Sequence, residues 1–155
     1  MQFAEKVKEL YPEAEVIAGV ATGAIAQGVL VAQELDLPFI YVRSSAKNHG
    51  LENLIEGDFR PGQKVVILED LISTGGSSLQ AVEALRKAGC EVLGMLAIFT
   101  YGFQKSVDNF TKAACKVDTL SNYNAMISLA QKEGYIKSED VDKLKMWRIS
   151  PETYK

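Results

Sequence analysis

The sequence predicts an α/β domain: a mainly parallel sheet flanked by helices, spanning residues 1–155 as a single unit. Three observations carry this. Apolar runs of strand length alternate with amphipathic stretches of helical spacing along the whole chain. Runs such as Lys64 to Leu68 (KVVIL) are largely apolar rather than alternating, as in a strand buried on both faces. At 155 residues and 47% hydrophobic, the chain has room for one real core and needs no staple.

Phe3, Val7 and Leu10 recur at helical spacing, and Pro12 stops that helix. Glu15 to Ala18 reads as a short strand ending in the glycine-bearing turn Gly19-Val20-Ala21-Thr22-Gly23. Ile25, Val29 and Ala32 share one face of the helix that follows, which runs to about Leu35, and Pro38 to Val42 is the next strand. Residues 43–62 break the rhythm. They are polar, with an apolar island at Leu54-Ile55, and a loop this long is usually functional or mobile, so residues 44–57 are expected to move. After the strand from Lys64 to Leu68 and a turn over Asp70 to Gly76, Leu79, Val82 and Leu85 define a helix ending at Gly89. Val92 to Thr100 is a strand, 103–113 a helix, Lys116 to Leu120 a strand, and a polar helical tail completes the chain.

Composition narrows the function. Seventeen bases against 20 acids give a net charge of −3 with no basic block, which argues against nucleic acid as the main partner. Cys90 and Cys115 are too few and too isolated for a disulfide framework or a zinc site, and read as small apolar residues in a reducing compartment. The lone histidine, His49, excludes a multi-histidine metal site. Residues 16–33 carry no charge, yet three glycines, Thr22 and two glutamines interrupt them, so no membrane span is expected. The N-terminus places Glu5, Lys6, Lys8 and Glu9 where a signal peptide needs apolar residues. A cytoplasmic protein is the expectation.

The chemistry concentrates in Val65 to Ser78 (VVILEDLISTGGSS). An apolar strand delivers two adjacent carboxylates, Glu69 and Asp70, and a Ser, Thr and Gly loop then opens a helix. Glycines let backbone N–H groups converge on an anion, and the helix N-terminus adds partial positive charge. The hydroxyls of Ser73, Thr74, Ser77 and Ser78 can donate to the remaining oxygens. No lysine stands in the loop, so it is not a Walker A cradle. The carboxylates suit ribose hydroxyls, a hydrated magnesium ion or a developing positive charge. An N-cap beside a solvated strand end would draw on the same residue types. The second glycine-rich turn, Gly19 to Gly23, is equally well explained as a tight strand-to-helix connection.

Taken together, an apolar strand, Glu69-Asp70, Leu71-Ile72-Ser73 and Thr74-Gly75-Gly76-Ser77 resemble the phosphoribosyl-diphosphate (PRPP) signature of the type I phosphoribosyltransferases. Arg43, Lys47 and His49-Gly50 resemble the flexible catalytic loop of the orotate branch, with Ser44 where many members have a second lysine. The resemblance runs from about Tyr11 to the Trp147/Pro151 tail.

It implies the type I phosphoribosyltransferase fold and transfer of the phosphoribosyl group from PRPP to orotate. The products would be orotidine 5′-monophosphate and pyrophosphate, with Mg2+ carried by PRPP and no metal ligands of the protein's own. Glu69 and Asp70 would face the ribose hydroxyls. Ser73, Thr74, Gly75, Gly76 and Ser77 would hold the 5′-phosphate, with Ser73 also near the base, and Leu71 and Ile72 would belong to the same substrate-binding stretch. The Gly19 to Gly23 turn would contact pyrophosphate through its amides. Arg43, Lys47 and His49 would close over the pyrophosphate, Lys47 and His49 from the neighbouring subunit of a homodimer with shared active sites.

Two features depart from the pattern. Many orotate enzymes carry an arginine just after the strand that ends at Thr100; here the residues are Tyr101-Gly102-Phe103, of which Tyr101 or Phe103 would stack on a base or serve as packing. Trp147 reads as packing. Family members also carry an N-terminal hood segment, whereas this chain starts just before the helix leading into the first core strand, as a fragment or a reduced relative would. A PRPP-binding regulator, a catalytically impaired fragment and a transferase for another base are the competing readings.

Overall fold

The computed structural model describes residues 2–43 and 54–152. Six strands form one sheet in the order β3-β2-β1-β4-β5-β6: β1 (Val16–Val20), β2 (Phe39–Val42), β3 (Ile55–Glu56), β4 (Lys64–Ile72), β5 (Glu91–Thr100) and β6 (Val117–Asn122). All neighbours are parallel except β2 and β3, which are antiparallel with Val42 opposite Ile55.

Burial follows the strand pleat, which sends successive side chains to opposite faces. On one face Val16, Ala18, Val65, Ile67, Met95 and Ala97 pack under α3 (Gly76–Lys87) and α4 (Gln104–Lys112). On the other, Ile17, Val66, Leu68 and Leu96 pack under α1 (Gln2–Leu10) and α2 (Ile25–Leu35). Every residue of β1 is buried, as expected for a central strand covered on both sides. In α1 the buried Phe3, Ala4 and Val7 lie at helical spacing, and the helix ends before Pro12.

Several boundaries differ from the sequence reading. β4 extends to Ile72, so Glu69 and Asp70 sit within the strand, because β5 continues to pair with it as far as Ile72 opposite Thr100. Leu54 to Gly57, expected in a mobile stretch, lies on the sheet: Ile55 and Glu56 pair with β2, and Leu54 and Ile55 pack against the core. Residues 44–53 of that stretch lie outside the described residues. The helical tail is two helices, α5 (Tyr123–Lys132) and α6 (Ser138–Ile149), joined at Gly134 with φ +76° and closed around buried Tyr123, Ile127 and Val141.

Strand order also fixes where a ligand can sit. From β1 the chain moves outward to β2 and β3, then returns past β1 to β4 and continues to β5 and β6. The direction reverses between β1 and β4, and the crevice beyond their carboxyl ends is where open α/β sheets take ligands. The two glycine-rich turns leave the sheet at this reversal.

Candidate active site

Adjacent carboxylates on β4 go to opposite faces. Glu69 turns under α3 and is 4% exposed, whereas Asp70 is exposed. The Glu69 carboxylate is gripped at both oxygens. Ser78 Oγ donates to Oε2 at 2.8 Å, and the Asp70 backbone N–H donates to Oε1 at 3.1 Å. Burial pushes the Glu69 carboxyl up to about 7, against the lowering pull of the Ser78 hydroxyl. Asp70 Oδ1 accepts the Leu71 N–H at 2.7 Å. Its other oxygen faces the first glycine turn, where a methyl group on Gly23 would overlap the carboxylate. The two turns, 47 residues apart in sequence, therefore meet at Asp70.

The loop after β4 is held from outside. Ile72 is buried, and its carbonyl accepts the Tyr101 N–H at 3.1 Å. Asn109 Nδ2 donates to the Thr74 carbonyl at 3.1 Å. Gly75 has φ +81° and presses against Phe110, leaving 2.6 Å between a built Cβ and the ring, so a glycine is required there twice over. Gly75 is also the N-cap of α3 and no side chain caps that helix. The capping explanation for the serines and threonine thus fails: Ser73, Thr74 and Ser77 remain partly or fully exposed beside uncapped helix amides. Ser78 does not join them. It is 1% exposed and spends its hydroxyl on Glu69, which corrects the expectation that it would face a phosphate.

At the first turn, the Ala21 N–H donates to the Val42 carbonyl at 2.8 Å, and the Ala21–Thr22 peptide is cis. Arg43, just past β2, donates its backbone N–H to the Leu54 carbonyl at 2.8 Å, and its Nη1 lies 3.5 Å from Glu56 Oε1. Lys47 and His49 lie outside the described residues. Leu71 is half-exposed, while the Ile72 side chain belongs to the core.

The aromatic residues after β5 pack against one another and against Trp147. Tyr101 stacks on Phe103 with centroids 5.3 Å apart, and Trp147 meets both edge-on at 5.8 and 5.7 Å. One residue escaped the sequence reading altogether. Arg148 of α6 donates from Nη1 to the Gly102 carbonyl at 2.9 Å, which places a guanidinium directly beyond β5. No local motif announces it, because its partner is 46 residues away.

Residues 2–133 match the phosphoribosyl transferase domain family. A protein of Porphyromonas gingivalis named orotate phosphoribosyltransferase is 57% identical over 154 residues, covering 99% of this chain and 73% of that one. The chain belongs to the orotate phosphoribosyltransferase family. A second relative so named, from Streptococcus pneumoniae serotype 4, is 51% identical over 98% of this chain and 72% of its own length. Among solved structures, Leishmania donovani UMP synthase aligns with a TM-score of 0.81 at 26% identity, over 95% of this chain and 31% of that one. The orotate phosphoribosyltransferase of Aeropyrum pernix shares the fold, with a TM-score of 0.73 at 24% identity over 88% of this chain and 76% of that one. The paired acids, the uncapped loop and the Gly23 contact are thus features of an orotate phosphoribosyltransferase-family chain.

Proposed function

We propose that the protein transfers the 5-phosphoribosyl group from PRPP to orotate, releasing pyrophosphate and giving orotidine 5′-monophosphate. The supporting observation is the meeting of three parts at the β1/β4 crevice: exposed Asp70, the Gly23 turn against it, and the uncapped α3 loop. The bond from ribose C1′ to the pyrophosphate oxygen breaks, and one from C1′ to a base nitrogen forms. Charge placement serves this reaction better than a nucleophile, since positive charge grows at the ribose and negative charge on the leaving group.

In this reading Asp70 accepts hydrogen bonds from the ribose hydroxyls, whereas Glu69, expected beside it, is buried with both oxygens on protein donors and lies one residue behind. Ser73, Thr74 and Ser77 with the loop amides take the 5′-phosphate. Gly19 and Val20, expected in the first glycine turn, belong to β1, and the Ala21 N–H is spent on Val42, so Thr22 and Gly23 offer the amides to pyrophosphate. Arg43 anchors the chain at the start of the segment bearing Lys47 and His49, which close over the pyrophosphate from the neighbouring subunit of a homodimer. The base carboxylate falls to Arg148, since Arg60 precedes β4 and Arg86 donates to Ala113 and Ala114 before β6, both at the opposite end of the sheet. Among the described residues no three His, Cys, Asp or Glu side chains gather. Mg2+ would arrive on the PRPP oxygens; both Glu69 oxygens already accept protein donors, which leaves exposed Asp70 as the carboxylate facing it. When bound, that ion neutralises diphosphate charge. Both cysteines are free and buried, as suits the reducing cytoplasm in which this reading places the enzyme. No described helix is long and apolar enough to cross a membrane.

Mixing the protein with PRPP, Mg2+ and orotate while following orotate absorbance tests the proposal. Turnover is expected. Failure to consume orotate, with no rise in Tm on adding PRPP and Mg2+, would overturn it.

A further inference from the structure

We propose that Ser78 is the positioning residue for the Glu69 carboxylate, acting on the reaction through that carboxylate and without touching substrate. The inference rests on the phosphoribosyl-transfer reading above and deepens it.

The helix pattern exposes Ser78 as an anomaly. Ser78, Ala81, Val82 and Leu85 are the buried residues of α3, spaced i, i+3, i+4 and i+7 along the stripe that faces the sheet. Three of those positions hold apolar residues, and the first holds a hydroxyl that is 1% exposed. Helix capping does not explain it, because α3 makes no side-chain cap bond. A buried hydroxyl without a partner is destabilising, and this one has its partner in Glu69 Oε2 at 2.8 Å.

The carboxylate needs that bond as much. Glu69 is itself 4% exposed, lies opposite Ala97 of β5, and receives one other donor, the Asp70 N–H at 3.1 Å on its second oxygen. Two donors on two oxygens leave it a single orientation. They also tie the side chain to the peptide that carries Asp70, the acid that faces the crevice. From α3 the group meeting Glu69 is Ser78, which is neutral; from β4 it is Asp70, the one charged group among the described residues that acts on it, and its charge opposes ionisation. Ser78 lowers the proton affinity that burial has raised. Losing the hydroxyl would free the carboxyl to rotate and raise its proton affinity further.

The test is the pH dependence of kcat/KM for PRPP in wild type, Ser78→Ala, Ser78→Thr and Glu69→Gln. Ser78→Ala should move the acid limb upward by about one pH unit, the order expected for one hydrogen bond to a charged group. Ser78→Thr, which keeps the hydroxyl, should restore the limb. In the Glu69→Gln background Ser78→Ala should shift nothing further, as required of a residue that acts through Glu69. An unmoved limb in folded Ser78→Ala protein, or the same shift with Glu69→Gln present, overturns the inference. Should Ser78→Ala fail to fold, Ser78→Cys keeps the size with a weaker donor and must give a shift of the same sign. Carbon-13 NMR titration of Glu69 in the free protein separates this inference from the functional reading. Glu69 titrating alike with and without the Ser78 hydroxyl overturns the inference even where PRPP turnover is normal, whereas a shifted titration in a protein that neither binds nor turns over PRPP overturns the functional reading alone.

Discussion

Replacing Glu69 by Gln should flatten the dependence of stability on pH. In the native protein burial raises the Glu69 carboxyl from 4.5 to about 7. Between those values the folded protein holds a proton that the unfolded chain has released. Stability from this group is therefore complete below about pH 4.5, and is lost as pH rises through the folded value. At about 1.36 kcal/mol per pH unit the ceiling is roughly 3 kcal/mol, and water at the open end of the sheet screens this to about 1–2 kcal/mol. Gln is nearly isosteric and keeps both bonds: its carbonyl accepts the Asp70 N–H, and its amide donates to Ser78 Oγ. Urea unfolding of wild type and Glu69→Gln at about pH 5 and pH 8 measures the difference. Wild type should lose about 1–2 kcal/mol more than the variant over that interval. Parallel losses in the two proteins would refute the claim that a buried, proton-holding Glu69 sits under α3.

Gly23→Ala places a methyl group into the Asp70 carboxylate, an overpacking cost of about 1–3 kcal/mol, so PRPP affinity measured calorimetrically should fall about tenfold or more; unchanged affinity would separate the turn from the site. Arg148→Gln should raise KM for orotate by about 10–100-fold, the value of one charge-assisted contact, while KM for PRPP stays within about twofold; equal losses for both substrates would make Arg148 purely a brace for Gly102. Mixing inactive Lys47→Ala with inactive Asp70→Asn protein should restore part of the activity, because a mixed dimer contains one site with both intact halves. No rescue despite demonstrated subunit exchange would place Lys47 over its own subunit.

Much of this protein was legible without coordinates, because its signals are local. Strand and helix periodicities repeat within a few residues, so the alternating α/β order and nearly every element could be read directly. The PRPP-type signature is one unbroken stretch of chain, since a strand, a turn and a helix start need only neighbouring residues to form an anion cradle. Strand ends were less legible. β4 reaches Ile72 only because β5 offers a partner that far, and Ile55-Glu56 becomes a strand only beside β2. What sequence could not decide is which residues face one another across long separations. Glu69 and Asp70 look equivalent in one dimension; the pleat buries the first under α3 and exposes the second. Ser78 looks like one more phosphate hydroxyl until the helix turns it inward to Glu69. Gly23 and Asp70 meet because β1 and β4 are neighbours at the point where strand order reverses, and Arg148 reaches Gly102 because α6 folds back over the end of β5. Periodicity specifies elements through short-range geometry, whereas a site built at strand ends depends on sheet order and on the direction each side chain takes from it.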